Sequence, residues 1–221
     1  MRESRCVPHD GGFHPPYDHP PSNEGEKLIR LQRPSGREIE AVLGSGDPFS
    51  YSEVGQTAQL ESPGVREALA SRYDVDRHQF TLGRGRDLFE RAQSSLMAWR
   101  QFDIPWLEFH GARRVEPEQV VATLVSMAGV WFLNPCRVVY AEFSADRNSI
   151  CYAYGTLRGH AESGEERFRV SFDPVTEEVR YEIAAFSRPA IALSKLGYPL
   201  ARRLQKRFAA SSAHALARAA T

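Results

Sequence analysis

Four short runs decide how this chain is read: RVVYAEF (137–143), ICYAYGTL (150–157), ERFRVSF (166–172) and VRYEIAAF (179–186). Each is rich in the β-branched and aromatic side chains that suit a half-buried pleated surface. In the third run Phe168, Val170 and Phe172 fall on one side, with Arg167, Arg169 and Ser171 on the other. In the fourth, Val179, Tyr181 and Ile183 alternate with Arg180 and Glu182. Alternation with period two places the apolar members of each strand on a single face. The links between runs are short and turn-rich: SADRN (144–148), the glycine-bearing stretch 159–164, and Asp173-Pro174. Links of this length join antiparallel neighbours, whereas parallel pairing needs a long crossover. The four runs predict an antiparallel meander.

Downstream the pattern becomes helical. Leu193, Leu196, Leu200, Leu204 and Phe208 form a stripe, which Gly197-Tyr198-Pro199 is expected to kink or split. The charges there are Arg188, Lys195, Arg202, Arg203, Lys206, Arg207 and Arg218, with no carboxylate from 183 onward. The basic run reads as the solvated face of an amphipathic helix. Contact with acidic lipid or a partner is the alternative. Upstream, Leu88, Phe89, Ala92, Leu96 and Trp99 predict a helix after a short strand at 79–82. Trp106, Leu107 and Phe109 suggest a strand ended by Gly111. Pro117, followed by Val120, Val121, Leu124 and Val125, suggests a second helix stopping near Gly129. The resulting expectation is an α+β fold, an antiparallel sheet with a long C-terminal helix packed on it.

Residues 1–45 differ from the rest, being rich in Pro, Gly, His and charge. They read as a disordered or loosely attached tail, with a single α+β domain over 46–221. His9, His14 and His19 recur in that tail but sit on a flexible segment, so no metal site is expected from them. Lys plus Arg and Asp plus Glu are both 28, so the formal net charge is zero and nucleic-acid binding is not expected. Three cysteines, Cys6, Cys136 and Cys151, argue against a disulfide framework and fit a reducing, cytoplasmic setting. The apolar stretches are too short and too interrupted for a signal peptide or a transmembrane segment.

The densest polar constellation is YGTLRGHAESGEE (154–166), at a hairpin between two expected strands. His160 is the candidate proton-transfer group, with Glu162 or Glu165 to orient it and Tyr154 beside it. The plainer reading is a turn set by glycines, with solvated carboxylates. The spacing fits no strong metal pattern, and no cofactor is implied. GRGRDL (83–88) resembles the start of a dinucleotide fingerprint, but Leu88 replaces the third glycine and no βαβ unit surrounds it. No G-x-S-x-G elbow occurs. The aromatic residues gather on the sheet and the elements expected to cover it. Core packing is their default reading, and a cavity lined by rings is the alternative.

Several motifs carry a resemblance. The run from Asn134-Pro-Cys-Arg-Val-Val139 through Tyr154-Gly-Thr-Leu-x-Gly-His160 and Ser163-Gly-Glu-Glu-x-Phe168 to Ala185-Phe-Ser-Arg-Pro189 resembles the domain-of-unknown-function family nineteen-ninety. Tyr51-x-Glu-Val-Gly55-x-Thr57, Leu82-Gly-x-Gly85 and the stretch from Ala92 to Trp99 fit as well. The resemblance spans about 49–216 and implies a grouping without an activity. The order of elements is also similar to the helix-grip superfamily of lipid-transfer, polyketide-cyclase and pollen-allergen proteins. That similarity implies a pocket for a small apolar or amphipathic ligand beneath the C-terminal helix. Trp131, Tyr152, Phe168 and Tyr181 are then the expected walls, and His160, Glu165, Arg137 and Arg188 the expected polar contacts.

Overall fold

The computed structural model describes residues 30–127, 129–190 and 198–221. Leu193, Leu196 and the three tail histidines lie outside the described residues. The elements run α1 (Gly36–Leu43), α2 (Pro63–Ala70), β1 (Asp74–Arg84), α3 (Arg86–Met97), β2 (Leu107–His110), β3 (Val120–Met127), β4 (Val130–Phe143), β5 (Ser149–Thr156), β6 (Glu162–Phe172), β7 (Glu178–Pro189) and α4 (Tyr198–Ala220). All seven strands form one sheet in the order β1-β7-β6-β5-β4-β3-β2, and every pairing is antiparallel. The expected meander is therefore β4 to β7.

Alternation sorts the sheet residues onto two covered faces. One face packs Val138, Ile150, Tyr152, Phe168, Val170, Tyr181 and Ile183 against Phe89, Leu96, Trp99 and Phe102, and against Ala209, Ala213 and Leu216 of α4. We call it the inner face. The outer face carries separate clusters, among them Tyr51, Leu69 and Tyr73 on Ala184 and Phe186. The C-terminal helix meets the inner face largely with small side chains, which permits close approach. The Ser212 and Tyr181 hydroxyls are 2.7 Å apart there. At its C-terminal end Arg91 Nε and Ser95 Oγ of α3 donate to the carbonyls of Ala220 (2.6 Å) and Ala219 (3.0 Å), satisfying acceptors the last turn leaves open.

Two sequence expectations change. Val120–Met127 is a strand, not the helix suggested by Pro117. Four of its eight residues, Val120, Val121, Thr123 and Val125, are β-branched, which favours extended backbone. The strand also buries both faces, Val121 inward and Ala122 and Leu124 against Ile39, so its apolar residues lack a clean alternation and mimic a helical stripe. The expected kink or split at Gly197-Tyr198-Pro199 falls at the edge of the described residues: the described helix begins at Tyr198, and residues 191–197 lie outside them. Finally, residues 36–43, assigned by composition to the tail, form α1. Ser35 and Glu38 close a capping box, and Ile39 is buried against β3 and β4.

Candidate functional site

Between the inner face and the start of α4 lies a cavity of about 360 Å³. Its walls are mostly apolar: Phe102, Trp106, Leu107, Val125, Met127, Phe132, Ile183, Leu204 and Phe208. Its polar groups gather where β1, β5, β6 and β7 meet the helix: Asp76, His78, Tyr154, His160, Glu162, Glu166, Ser187 and Gln205. Three of the four elements contribute by parity alone. Glu162, Glu166 and Phe168 share one side of β6, Asp76 and His78 one side of β1, and Ile183, Ala185 and Ser187 one side of β7.

Glu166 stands opposite Tyr154 across β5 and β6, and the Tyr154 hydroxyl donates to its carboxylate at 2.7 Å. Burial lifts the Glu166 carboxyl from the usual 4.5 to about 7; the Tyr154 hydrogen bond opposes this, while the charges of Glu162 and Asp76 add to it. The neighbouring Glu162 accepts from Ser187 Oγ and Gln205 Nε2 at 2.7 Å, and burial raises it too. Asp76 differs, because the Arg202 guanidinium is hydrogen-bonded to it and holds it low. His160 Nδ1 lies 2.9 Å from the Glu162 backbone nitrogen and 3.0 Å from its carbonyl oxygen, which fixes the ring against the turn. Burial pulls His160 down to about 4, leaving it neutral at pH 7 and a weak base. With its carboxyl at about 7, Glu166 is poised to exchange a proton near neutrality.

The folded protein holds the Glu166 proton to higher pH than the unfolded chain does. Its contribution is therefore most favourable below about 4.5, is lost as pH rises to about 7, and stays lost above that. Glu166→Gln keeps the shape and an acceptor for Tyr154 without the buried charge. Because water in the cavity reduces the penalty, we expect a gain of ~1–3 kcal/mol at pH 8 and almost none at pH 4. Thermal unfolding at the two pH values checks it; equal shifts at both would show that Glu166 is not strained by its charge.

The structure separates the residues singled out by sequence. Tyr154 and His160 line the cavity. Glu165 forms part of its wall, but its carboxylate lies on the outer face, where Tyr51 Oη, Gly55 N and Thr57 N donate to it at 2.7, 2.7 and 3.0 Å. Tyr154, His160 and Glu165 therefore do not converge, and Glu166 takes the carboxylate's place. Tyr152, Phe168 and Tyr181 belong to the packed inner core rather than to the cavity lining. Trp131 packs with Leu133 and Leu124 on the outer face. Arg137 donates to the Asp47 carbonyl at 2.7 Å and lies over Phe49; Arg188 lies over Tyr73. Neither arginine lines the cavity. Sequence reasoning missed Glu166, Asp76, His78 and Gln205. The signal for Glu166 was present: it shares parity with Phe168, whereas Glu165 shares it with Arg167. Among the described residues no group of three or more His, Cys, Asp or Glu side chains is arranged to hold a metal ion.

The family profile described as Domain of unknown function (DUF1990) matches residues 50–215. The chain belongs to this family. Relatives of DUF1990 sequence include a UPF0548 protein of Dictyostelium discoideum, 30% identical over 207 residues, covering 87% of this chain and 95% of that one. A UPF0548 protein of Arabidopsis thaliana is 31% identical over 195 residues, covering 83% and 93%. Among solved structures, a hypothetical protein of Helicobacter pylori superposes with a TM-score of 0.51 at 9% identity, covering 80% of this chain and 98% of that one. An aromatase/cyclase of Streptomyces sp. R1128 superposes at 0.47, with 15% identity and 67% and 94% coverage. The likeness is one of fold: this DUF1990 protein has the antiparallel sheet and C-terminal helix of the helix-grip arrangement. Among its described residues no helix is long and apolar enough to cross a membrane.

Proposed function

We propose that this protein binds a small, partly apolar ligand, in the cytoplasm, in the cavity between the sheet and the C-terminal helix. The observation that carries the reading is the cavity itself, about 360 Å³ of largely apolar, ring-bearing space into which a few polar side chains project. That volume falls within the range of small-molecule sites, and few convergent polar groups in an apolar enclosure are their usual construction.

Two measurements test it. Native mass spectrometry of freshly purified protein should show a co-purified small molecule, and the neutral fluorophore N-phenyl-naphthylamine should brighten on binding at a single saturable site. Ala185, small and on the cavity wall, offers a way to fill the space. Ala185→Phe should weaken fluorophore binding at least about tenfold while the protein remains folded by circular dichroism. An apo mass together with an unchanged fluorophore signal would remove the reading.

A second reading, proton transfer on the bound molecule, is favoured by the Glu166–Tyr154 pair. It makes Glu166 the base in place of His160 and Glu165. A membrane-surface role for the basic helix has less support. Arg202 is engaged with Asp76, Arg207 lies over Trp106, and Arg218 donates to the Asp103 carbonyl.

A further inference from the structure

The cavity also carries a sign. Among its described lining residues there is no lysine or arginine, while Asp76, Glu162 and Glu166 bring three carboxylates to one end. Arg202 answers Asp76 from the helix. Glu162 and Glu166 have neutral hydrogen-bond partners instead: Ser187 and Gln205 for the first, Tyr154 for the second. The Tyr154 hydroxyl donates to one oxygen of Glu166, Oε2, and the described residues supply no hydrogen bond to the other, Oε1. An acceptor-rich end enclosed in apolar walls disfavours an anionic head, which would add a further negative charge to a site that holds its own poorly. It favours a head that donates hydrogen bonds and carries positive charge. The rest of the lining includes the rings of Phe102, Trp106, Phe132 and Phe208, which suit an apolar body.

We infer that the ligand class of this cavity is an amphiphilic amine, an ammonium head seated against Glu166 and Glu162 with an aromatic or alkyl body among the rings. The inference rests on the proposed binding role, and it assigns Glu166 the part of counter-ion. Binding then draws the Glu166 proton off, so affinity rises as pH rises from about 6 to about 8, in the interval where this carboxyl titrates. The groups acting on Glu166 in that interval are Tyr154 from β5, Glu162 from β6 and Asp76 from β1; His78, His160 and Gln205 share the lining, and Arg202 and Lys206 from α4 act on Asp76. Of these, His160 is already neutral there, held at about 4 by burial.

The test is competition against N-phenyl-naphthylamine by three compounds sharing one ring and chain: tryptamine, neutral tryptophol and anionic indolepropionate. Tryptamine is expected to displace the fluorophore at a concentration at least about tenfold below indolepropionate at pH 8, with tryptophol between them. In Glu166→Gln that ratio, corrected for the fluorophore affinity measured in the variant itself, should shrink to below about threefold. Glu162→Gln, on the same wall, provides a second variant should the first unfold. Indolepropionate competing as well as tryptamine, or an unchanged ratio in both variants, would overturn the amine assignment and leave the cavity reading standing. A fluorophore that does not bind, together with an apo mass, would overturn both.

Discussion

Replacing Glu165 with alanine is expected to destabilise the protein by ~3–5 kcal/mol, measured by urea unfolding at pH 7. The carboxylate is buried, at 2% exposure, and four donors converge on it from one loop: the Tyr51 hydroxyl, the backbone N–H groups of Gly55 and Thr57, and the Thr57 hydroxyl. Burial raises the Glu165 carboxyl, and the four donors act against that rise. Removing the acceptor strands two backbone donors and the Tyr51 hydroxyl where water reaches poorly, each a loss of ~1 kcal/mol or more, while the Thr57 hydroxyl keeps the Tyr140 hydroxyl at 2.8 Å. Glu165→Gln retains one acceptor oxygen and should lose about half as much, since the new amide group meets donors rather than acceptors. A loss below ~1 kcal/mol for the alanine variant would mean that water replaces the carboxylate and that the loop does not depend on it.

The loop that Glu165 holds matters to the site on the other side of the sheet. Ser50 N–H donates to the Thr156 carbonyl at 2.9 Å, and Ser163 Oγ donates to the Ser50 carbonyl at 2.8 Å. The loop is thus tied to both strands of the hairpin whose inner residues, Tyr154, Glu162 and Glu166, line the cavity. Gly155 and Gly55 make this possible for different reasons. A Cβ on Gly155 would sit 2.0 Å from the Tyr51 hydroxyl, and Gly55 has a φ of 84°, a conformation suited to glycine. Adjacent glutamates in one strand therefore do opposite things: Glu165 fastens the outer loop, and Glu166 enters the cavity.

That opposition explains what was legible beforehand. Alternation in 166–172 and 179–186, with links too short for crossovers, was enough for β4 to β7, and the apolar stripe running to Leu204 and Phe208 was enough for the covering helix. Extending the same parity two residues upstream assigns Glu166 to the side of Phe168 and Glu165 to the side of Arg167. The polar run 154–166, read as one cluster, hid the fact that a strand divides its members between two faces. The lining from β1 and α4 was not legible, because Asp76, His78 and Gln205 reach the cavity only through pairings distant in sequence: β1 lies beside β7, and Arg202 reaches back to Asp76. Strand β3 failed for a related reason. A segment buried on both sides lacks the one-sided pattern that marks a strand, and only its β-branched content argues for extension.

The outer face supplies the other large expected effect. Arg167, at 1% exposure, donates to the Thr57 carbonyl at 2.8 Å and joins Glu61 and Glu182. Glu182, at 3% exposure, is also met by Arg169 at 2.9 Å, Arg77 at 2.6 Å and the Gln79 amide at 2.8 Å. Burial would raise the Glu182 carboxyl, but the charges of Arg169, Arg167 and Arg77 outweigh it and bring it down to about 2. Arg167→Met should cost ~3–5 kcal/mol, because it removes one partner from a network whose carboxylates stay buried. Adding Glu61→Gln should recover part of that loss, giving a combined cost below the sum of the single costs, as expected for residues that share a charge pair. The pH dependence supplies a further check. A depressed carboxyl contributes stability above its unfolded value that disappears as pH falls toward about 2, so this network protects the protein on the acid side while Glu166 weakens it on the alkaline side. Arg167→Met should flatten the acid limb of the stability profile, its cost shrinking as pH falls toward about 2, and Glu166→Gln should raise stability most on the alkaline side. A single Arg167→Met cost under ~1 kcal/mol, with the acid limb unmoved, would show that Arg169 and Arg77 hold Glu182 without it.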